Sequence, residues 1–270
     1  MEKSVSKVAM IGLGAMGLQM ARHMAAKGLV VRGYDIDAAA LARAGALAIA
    51  TAASAAEAAD GADIAIVMVQ TDAQVEDVVR SGMLERLARG AVICIASSVA
   101  PETCRRMAAL AAPHGIGILD TPVVLGQEAA SNGTLTVYVG GDEAAFTRAL
   151  PALQAFGSRV LHLGPLGAGQ IAKTINNLLL WACMCANMEA LTLAKTLGVD
   201  VPRLVEALGH GSGANWSLSR WGKSTGKRAE KDMDVALDMA QQARLPMPLA
   251  GLVDQLVKTI NQERMRALLS

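Results

Sequence analysis

The chain has 270 residues, enough for one large or two ordinary domains, and 53% apolar against 18% charged residues suits a globular protein with a sizeable core. Twenty-five basic residues nearly balance 24 acidic ones, and the net charge of +1 removes the electrostatic case for a nucleic-acid or anionic-membrane partner. Aromatics are only 3%, so the core is to be built from Ala, Leu, Val, Ile and Met.

The first element in chain order is the apolar run Val8-Ala9-Met10-Ile11, a predicted strand. It leads into Gly12-Leu13-Gly14-Ala15-Met16-Gly17 and then into the helical pattern Leu18 to Met24. A G-x-G-x-x-G between strand and helix is the dinucleotide-binding arrangement. Gly12 makes the tight turn, Gly14 lets the backbone approach a pyrophosphate, and Gly17 lets helix and strand pack closely. The helix N-terminus offers free N–H groups to the phosphates. Leu29 to Tyr34 reads as a second strand, and Asp35 ends it, 18 residues after Gly17. A carboxylate there accepts hydrogen bonds from ribose hydroxyls and repels a 2′-phosphate, which favours NAD over NADP. Arg32 and Arg43 lie close enough in sequence to soften that preference. Asp37 is expected to cap the Ala-rich helix that follows.

The alanine tract from Ala44 to Ala59 is helix-favouring in composition. Further strand-like runs follow at Ile64 to Val69, Ala91 to Ala96, Gly115 to Leu119, Thr134 to Val139 and Arg159 to Leu163. Continuous apolar strands separated by helical stretches predict an α/β domain with a doubly wound parallel sheet, a Rossmann arrangement. From Ala168 onward the pattern is helical, with breaks near Gly198, Gly209 to Gly213, and Pro246 to Pro248. The expected division is a dinucleotide-binding domain at 1–164 and an all-helical domain at 165–270, joined by the long segment Gly167 to Leu197.

The longest stretch free of charge and histidine, Thr174 to Met188, has 15 residues and three asparagines, too short and too polar to span a bilayer. Met1-Glu2-Lys3-Ser4 leads straight toward the first strand, so no secretory leader is expected. Cys94, Cys104, Cys183 and Cys185 form no C-x-x-C, and buried thiols in a cytoplasmic protein are the expectation. His23, His114, His162 and His210 show no metal-ligand spacing and are expected at the surface or in packing roles. No metal is expected.

The segment Gly167-Ala168-Gly169-Gln170-Ile171-Ala172-Lys173-Thr174-Ile175-Asn176-Asn177 opens the long helix. Lys173 and Asn177 are four apart and share a helix face. The glycines leave room for a cofactor or a glycine-rich loop to come close. By itself the pattern is open to two readings, a catalytic lysine or a solvated lysine beside a backbone-satisfied Asn.

Three stretches together resemble the β-hydroxyacid dehydrogenase family, which includes 3-hydroxyisobutyrate dehydrogenases and tartronate semialdehyde reductases. They are Gly12 to Ala21, Gly133 to Gly141 and Gly167 to Asn177, joined by Lys231-Asp232 near the end. The resemblance implies that Lys173 is the general acid/base and that Asn177 orients the substrate or the lysine. It implies that Val69, Gln70 and Gln74 line the cofactor, with Ser97 and Ser98 on the next loop. Lys231 would reach the nicotinamide end of the site, its alternative being a surface lysine beginning a helix. The cofactor carries the hydride, and a lysine beside the carbinol oxygen moves the proton when burial lowers its pKa.

One departure bears on substrate. Relatives usually carry D-x-P-V-S-G-G, whose serine and glycines hold a carboxylate. This chain reads Asp120-Thr121-Pro122-Val123-Val124-Leu125-Gly126, so Val124, Leu125 and Gly126 stand in the substrate-binding places with only the last glycine kept. Val99 stands where many relatives place a threonine. The substrate is then larger or less charged, or Ser212, Asn215 or Arg220 supplies the anion contact. Trp216 and Trp221 are candidates for packing or for substrate contact, and the stretch from Trp221 to Lys231 looks shorter than usual. An imine reductase and a non-catalytic NAD-binding module are the alternatives, and retention of Lys173 with Asn177 argues against both. The apolar helices of the second domain, with Leu178 to Leu180, Leu204-Val205 and Leu249 to Leu256, predict a homodimer or homotetramer.

Overall fold

The computed structural model describes residues 6–223 and 226–270, so Met1 to Ser4 and part of the stretch from Trp221 to Lys231 lie outside the described residues. The chain divides into two units, Met1–Lys173 and Thr174–Ser270.

In the first unit strands and helices alternate. β1 (Lys7–Ile11), α1 (Gly17–Ala26), β2 (Val30–Tyr34), α2 (Ala38–Ala46), β3 (Ala50–Thr51), α3 (Ala55–Ala58), β4 (Ile64–Val67), α4 (Asp72–Val78), β5 (Val92–Ile95), α5 (Pro101–Ala111) and β6 (Gly117–Asp120) come first. β7 (Val123–Val124), α6 (Gly126–Asn132), β8 (Leu135–Gly141), α7 (Glu143–Phe156) and β9 (Gly157–His162) follow. The strand order is β3-β2-β1-β4-β5-β6-β8-β7, with β9 paired to β8. Strands from β3 through β6 are mutually parallel, and the order reverses direction between β1 and β4.

Burial explains why these runs are continuous rather than alternating. Along β1, Val8 and Met10 enter one core while Ala9 and Ile11 enter another. Met20 and Met24 of α1, Ala40 and Ala44 of α2 and Phe156 of α7 cover the first face. Ala55 of α3, Val75 of α4 and Met107 of α5 cover the second. Each fully buried large side chain contributes about 1.5–3 kcal/mol, and helices on both faces make the sheet doubly wound.

Two features differ from the sequence expectation. The sheet is mixed, because β8 runs antiparallel to β6 and to β7. The alanine tract is not one helix either. α2 ends at Ala46, β3 takes Ala50 and Thr51, and α3 begins at Ala55 behind Ser54, whose side chain accepts the Glu57 N–H. Ala48, at a φ of +56°, turns the chain out of α2. Asp37 caps α2 as expected, accepting the Ala39 N–H.

α8 (Ala168–Thr196) begins in the first unit and continues into the second. It has 29 residues and by length and composition alone is apolar enough to cross a membrane, although its longest run free of charge is the 15 residues Thr174 to Met188. Its Trp181, Met184, Cys185 and Leu191 instead lie buried in the core of the second unit. α9 (Val201–Leu208), α10 (Trp216–Ser219), α11 (Ala229–Gln242), α12 (Pro248–Val257) and α13 (Gln262–Ala267) supply the rest of that unit. Its core adds Met233, Val253, Val257 and Met265.

Candidate active site

Because β1, β2, β4, β5 and β6 are parallel, their carboxyl ends open on one edge of the sheet, the edge where ligands bind in such folds. Gly12, Asp35, Met68, Ala96 and Thr121 are the first residues beyond those ends.

The glycine loop has three distinct requirements. Gly12 holds a φ of +94°, and a Cβ there would stand 2.2 Å from the Met68 carbonyl oxygen. A Cβ on Gly17 would stand 1.9 Å from the Gly12 carbonyl oxygen. At Gly14 a Cβ would meet nothing within 4 Å. The first two glycines are required by the fold, while the third leaves an open face on the loop. Leu13 is buried against Gly33, and its N–H donates to Asp35 Oδ2 at 2.6 Å. Asp35 Oδ1 accepts the Asp37 N–H at 2.9 Å. The first turn of α1 holds no acidic residue to repel a phosphate. Arg32 donates to the Glu57 carbonyl and Arg43 lies 3.6 Å from Asp37, so both have protein partners. Ala15 and Met16 complete the loop; Ala15 is exposed and Met16 half-buried. Open space at Gly14, the free turn of α1 and the acidic end of β2 together fit a dinucleotide.

The neighbouring loops are held by side chains. The Val69 N–H donates to Ser97 Oγ at 2.7 Å, and that hydroxyl donates to the Val67 carbonyl at 3.3 Å. Gln74 Oε1 accepts the Gln70 N–H at 2.8 Å. Ser97 is buried and Ser98 exposed. The structure therefore gives Ser97 and Gln74 a part in shaping the loops, and leaves Ser98 on their open side.

The start of α8 is fastened to the same edge. Asp120, fully buried, accepts the Gly167 N–H at 2.6 Å and the Gln170 N–H at 2.7 Å. Burial raises its carboxyl above the ordinary 3.8, against the pull of backbone N–H donors that favour the charged form. Gln170 in turn donates from Nε2 to the Ser97 carbonyl and accepts the Val99 N–H at Oε1. The glycines of this segment serve that fastening. A Cβ on Gly169 would stand 2.7 Å from the Tyr138 carbonyl and 2.8 Å from Asp120 Oδ2. The protein groups that come close to Gly169 are thus Asp120 and the β8 backbone. One turn beyond Gln170, Lys173 is partly buried and its Nζ donates to the Val123 carbonyl at 2.9 Å. Val124 is buried; Leu125 follows at a φ of +80° and is 39% exposed.

In the second unit Asn177 is buried and accepts from Asn176 Nδ2 at 3.1 Å. Lys231 is exposed in the first turn of α11, and the adjacent Asp232 accepts from Trp181 Nε1 at 3.0 Å. Asn215 caps α10 and bonds Asn187 and Ser217, so its amide already has protein partners. Arg220 lies over the ring of the exposed Trp216, 5.2 Å from its centroid. Trp221 is a core residue whose Nε1 donates to the Met265 carbonyl. Ser212 is exposed.

Sequence reasoning missed Asp120 and Gln170 as the residues that fasten the start of α8 to the ends of β5 and β6. The signals were a carboxylate ending an apolar strand and a lone Gln in the apolar run before Lys173.

Known proteins resemble this chain over nearly its whole length. Residues 7–164 match the family described as the NAD binding domain of 6-phosphogluconate dehydrogenase. Residues 167–268 match that described as the NAD-binding of NADP-dependent 3-hydroxyisobutyrate dehydrogenase. The chain is 33% identical over 275 residues to an NAD-dependent L-serine dehydrogenase of Pseudomonas aeruginosa, covering 95% of this chain and 92% of the relative. It is also 33% identical over 269 residues to a 2-(hydroxymethyl)glutarate dehydrogenase of Eubacterium barkeri, covering 95% and 89%. Its fold is similar to that of the Mycobacterium tuberculosis 3-hydroxyisobutyrate dehydrogenase solved with L-serine, at a TM-score of 0.88 and 28% identity, covering 98% of this chain and all of that one.

Proposed function

The chain belongs to the β-hydroxyacid dehydrogenase family of NAD(P)-dependent oxidoreductases acting on CH–OH, and on that footing we propose that it oxidises a β-hydroxy acid, or reduces its semialdehyde, with NAD and with Lys173 as general acid/base. When bound, the nicotinamide cofactor supplies the hydride chemistry. Gly12 to Gly17 and Asp35 would hold it, with Val69, Gln70, Gln74 and Ser98 on the adjoining loops. Asp35 at the end of β2, with Arg32 and Arg43 engaged elsewhere, favours NAD.

The observation that carries the reading is the placement of Lys173. Its amine is held by a backbone carbonyl, on a helix start fastened by Asp120 and Gln170 to the ends of β5 and β6. Held there, the amine takes the hydroxyl proton in oxidation and returns it in reduction. Asn177, Lys231 and the 124–126 segment enter the proposal through the family motif. The relatives named above are dehydrogenases, which favours this chemistry over the imine reductase and non-catalytic readings.

The proposal extends to organisation. Residues 1–164 bind the nucleotide and 165–270 serve substrate binding and dimerisation. Exposed Leu179, Leu193, Leu249 and Leu252 on the helical part support a homodimer or a homotetramer. Buried free thiols at Cys94, Cys104 and Cys185 are in keeping with the cytoplasm.

The test is NADH formation from small β-hydroxy acids by the wild type and by Lys173→Ala. The variant is expected to lose about 10²–10⁴ in kcat. Undiminished turnover by the variant would remove Lys173 from the reaction.

A further inference from the structure

Three residues other than glycine hold a clearly positive φ among the described residues: Ala48 at +56°, Arg244 at +53° and Leu125 at +80°. Two of them end helices. After Ala48 the Ile49 N–H returns to the Ala44 carbonyl, and after Arg244 the Leu245 N–H returns to the Ala240 carbonyl, the bond that closes a helix C-terminus. Leu125 stands before α6 instead, so no helix C-terminus accounts for its conformation. Leucine is strained in the left-handed region, where glycine is relaxed.

Core packing does not explain the strain. Leu125 is 39% exposed, while Val123 and Val124 before it are buried. It belongs to none of the three apolar cores. Its position along the chain is more informative. Two residues earlier, the Val123 carbonyl receives the amine of Lys173. One residue later, a Cβ on Gly126 would meet nothing within 4 Å. A strained, exposed leucine is therefore held at an open place, two residues from the contact that positions the proposed acid/base. Strain kept against an available relaxed alternative points to function.

We infer that Leu125 is a specificity-determining residue: it forms an apolar wall beside Lys173 that selects β-hydroxy acids with an alkyl or aryl substituent on the carbon next to the carbinol. The inference rests on the dehydrogenase function proposed above. An alkyl or aryl group loses its water against such a wall, whereas a charged substituent there loses water and gains no partner.

The experiment is a series of 3-hydroxypropanoates bearing hydrogen, ammonium (as in serine), methyl, isobutyl or benzyl at C2. Values of kcat/KM are measured with NAD+ and with NADP+ for the wild type, Leu125→Ala and Leu125→Gly, alongside thermal melts. The wild type is expected to favour isobutyl or benzyl over hydrogen and ammonium by about tenfold or more, and both variants to lose about tenfold of that preference. Leu125→Gly is expected to melt at or above the wild type. Turnover with the same ranking in all three proteins, or a wild type that prefers serine, overturns the inference and leaves the dehydrogenase reading standing. A glycine variant melting below the wild type overturns the strain argument and the inference with it. No turnover of any compound overturns both readings.

Discussion

Asp120 accepts the backbone N–H of Gln170 at 2.7 Å, fifty residues further along the chain, and with its other oxygen accepts that of Gly167. A single buried carboxylate thus satisfies two of the unpaired N–H groups at the start of α8. Asp120→Ala leaves both donors buried without an acceptor. It is expected to lower the unfolding free energy by about 2–4 kcal/mol, read as a shift in the urea midpoint. Asp120→Asn, which keeps one acceptor oxygen, is expected to lose about half as much.

The same residue gives the folding stability a pH dependence of known sign. Burial raises the Asp120 carboxyl above 3.8, so the folded protein keeps this proton at pH values where the unfolded chain has released it. Its contribution to stability is greatest below 3.8 and declines as pH rises from there through the folded-state value. Asp120→Asn is expected to flatten that slope in denaturation curves collected across the carboxylate range. An identical slope in the variant would assign the effect to other groups.

The glycine loop separates binding from folding. A Cβ on Gly14 meets open space, whereas one on Gly17 falls on the Gly12 carbonyl. Gly14→Ala is expected to keep the stability within about 0.5 kcal/mol while weakening NADH binding, followed by fluorescence titration. Gly17→Ala is expected to lose stability and binding together. A Gly14→Ala protein that binds NADH as tightly as the wild type would move the phosphates away from this loop.

Asp35 provides the test of cofactor choice. Replacing it with Asn removes the charge that repels a 2′-phosphate and keeps an acceptor for the Leu13 N–H. The ratio of kcat/KM for NAD+ to that for NADP+ is expected to fall by about tenfold or more, a change of about 1.4 kcal/mol. A ratio that stays put would mean that another group reads the ribose.

Local pattern made much of the first unit legible. β1, the glycine turn and Asp35 follow from an apolar run, a spacing and a carboxylate within one stretch of chain. β3 was not legible, because two exposed residues inside an alanine tract carry no apolar signature. The antiparallel setting of β8 depends on its pairing with β6 and β7, which the residues of β8 do not encode by themselves. Asp120 and Gln170 escaped for a related reason. Each looks ordinary locally, and their relation exists only after the chain has brought positions fifty apart together. The strain at Leu125 was equally out of reach, since φ is a property of the folded backbone.

The first unit ends at Lys173. The proposed proton-handling group therefore closes the compact unit that carries the glycine loop, although the helix on which it stands lies for most of its length in the other unit and within the second matched segment, 167–268. A chimaera joined just after Lys173 keeps the amine and its fastening to β5 and β6 while everything beyond it is drawn from another relative. Turnover by such a chimaera would show that the amine works with a helical segment other than its own.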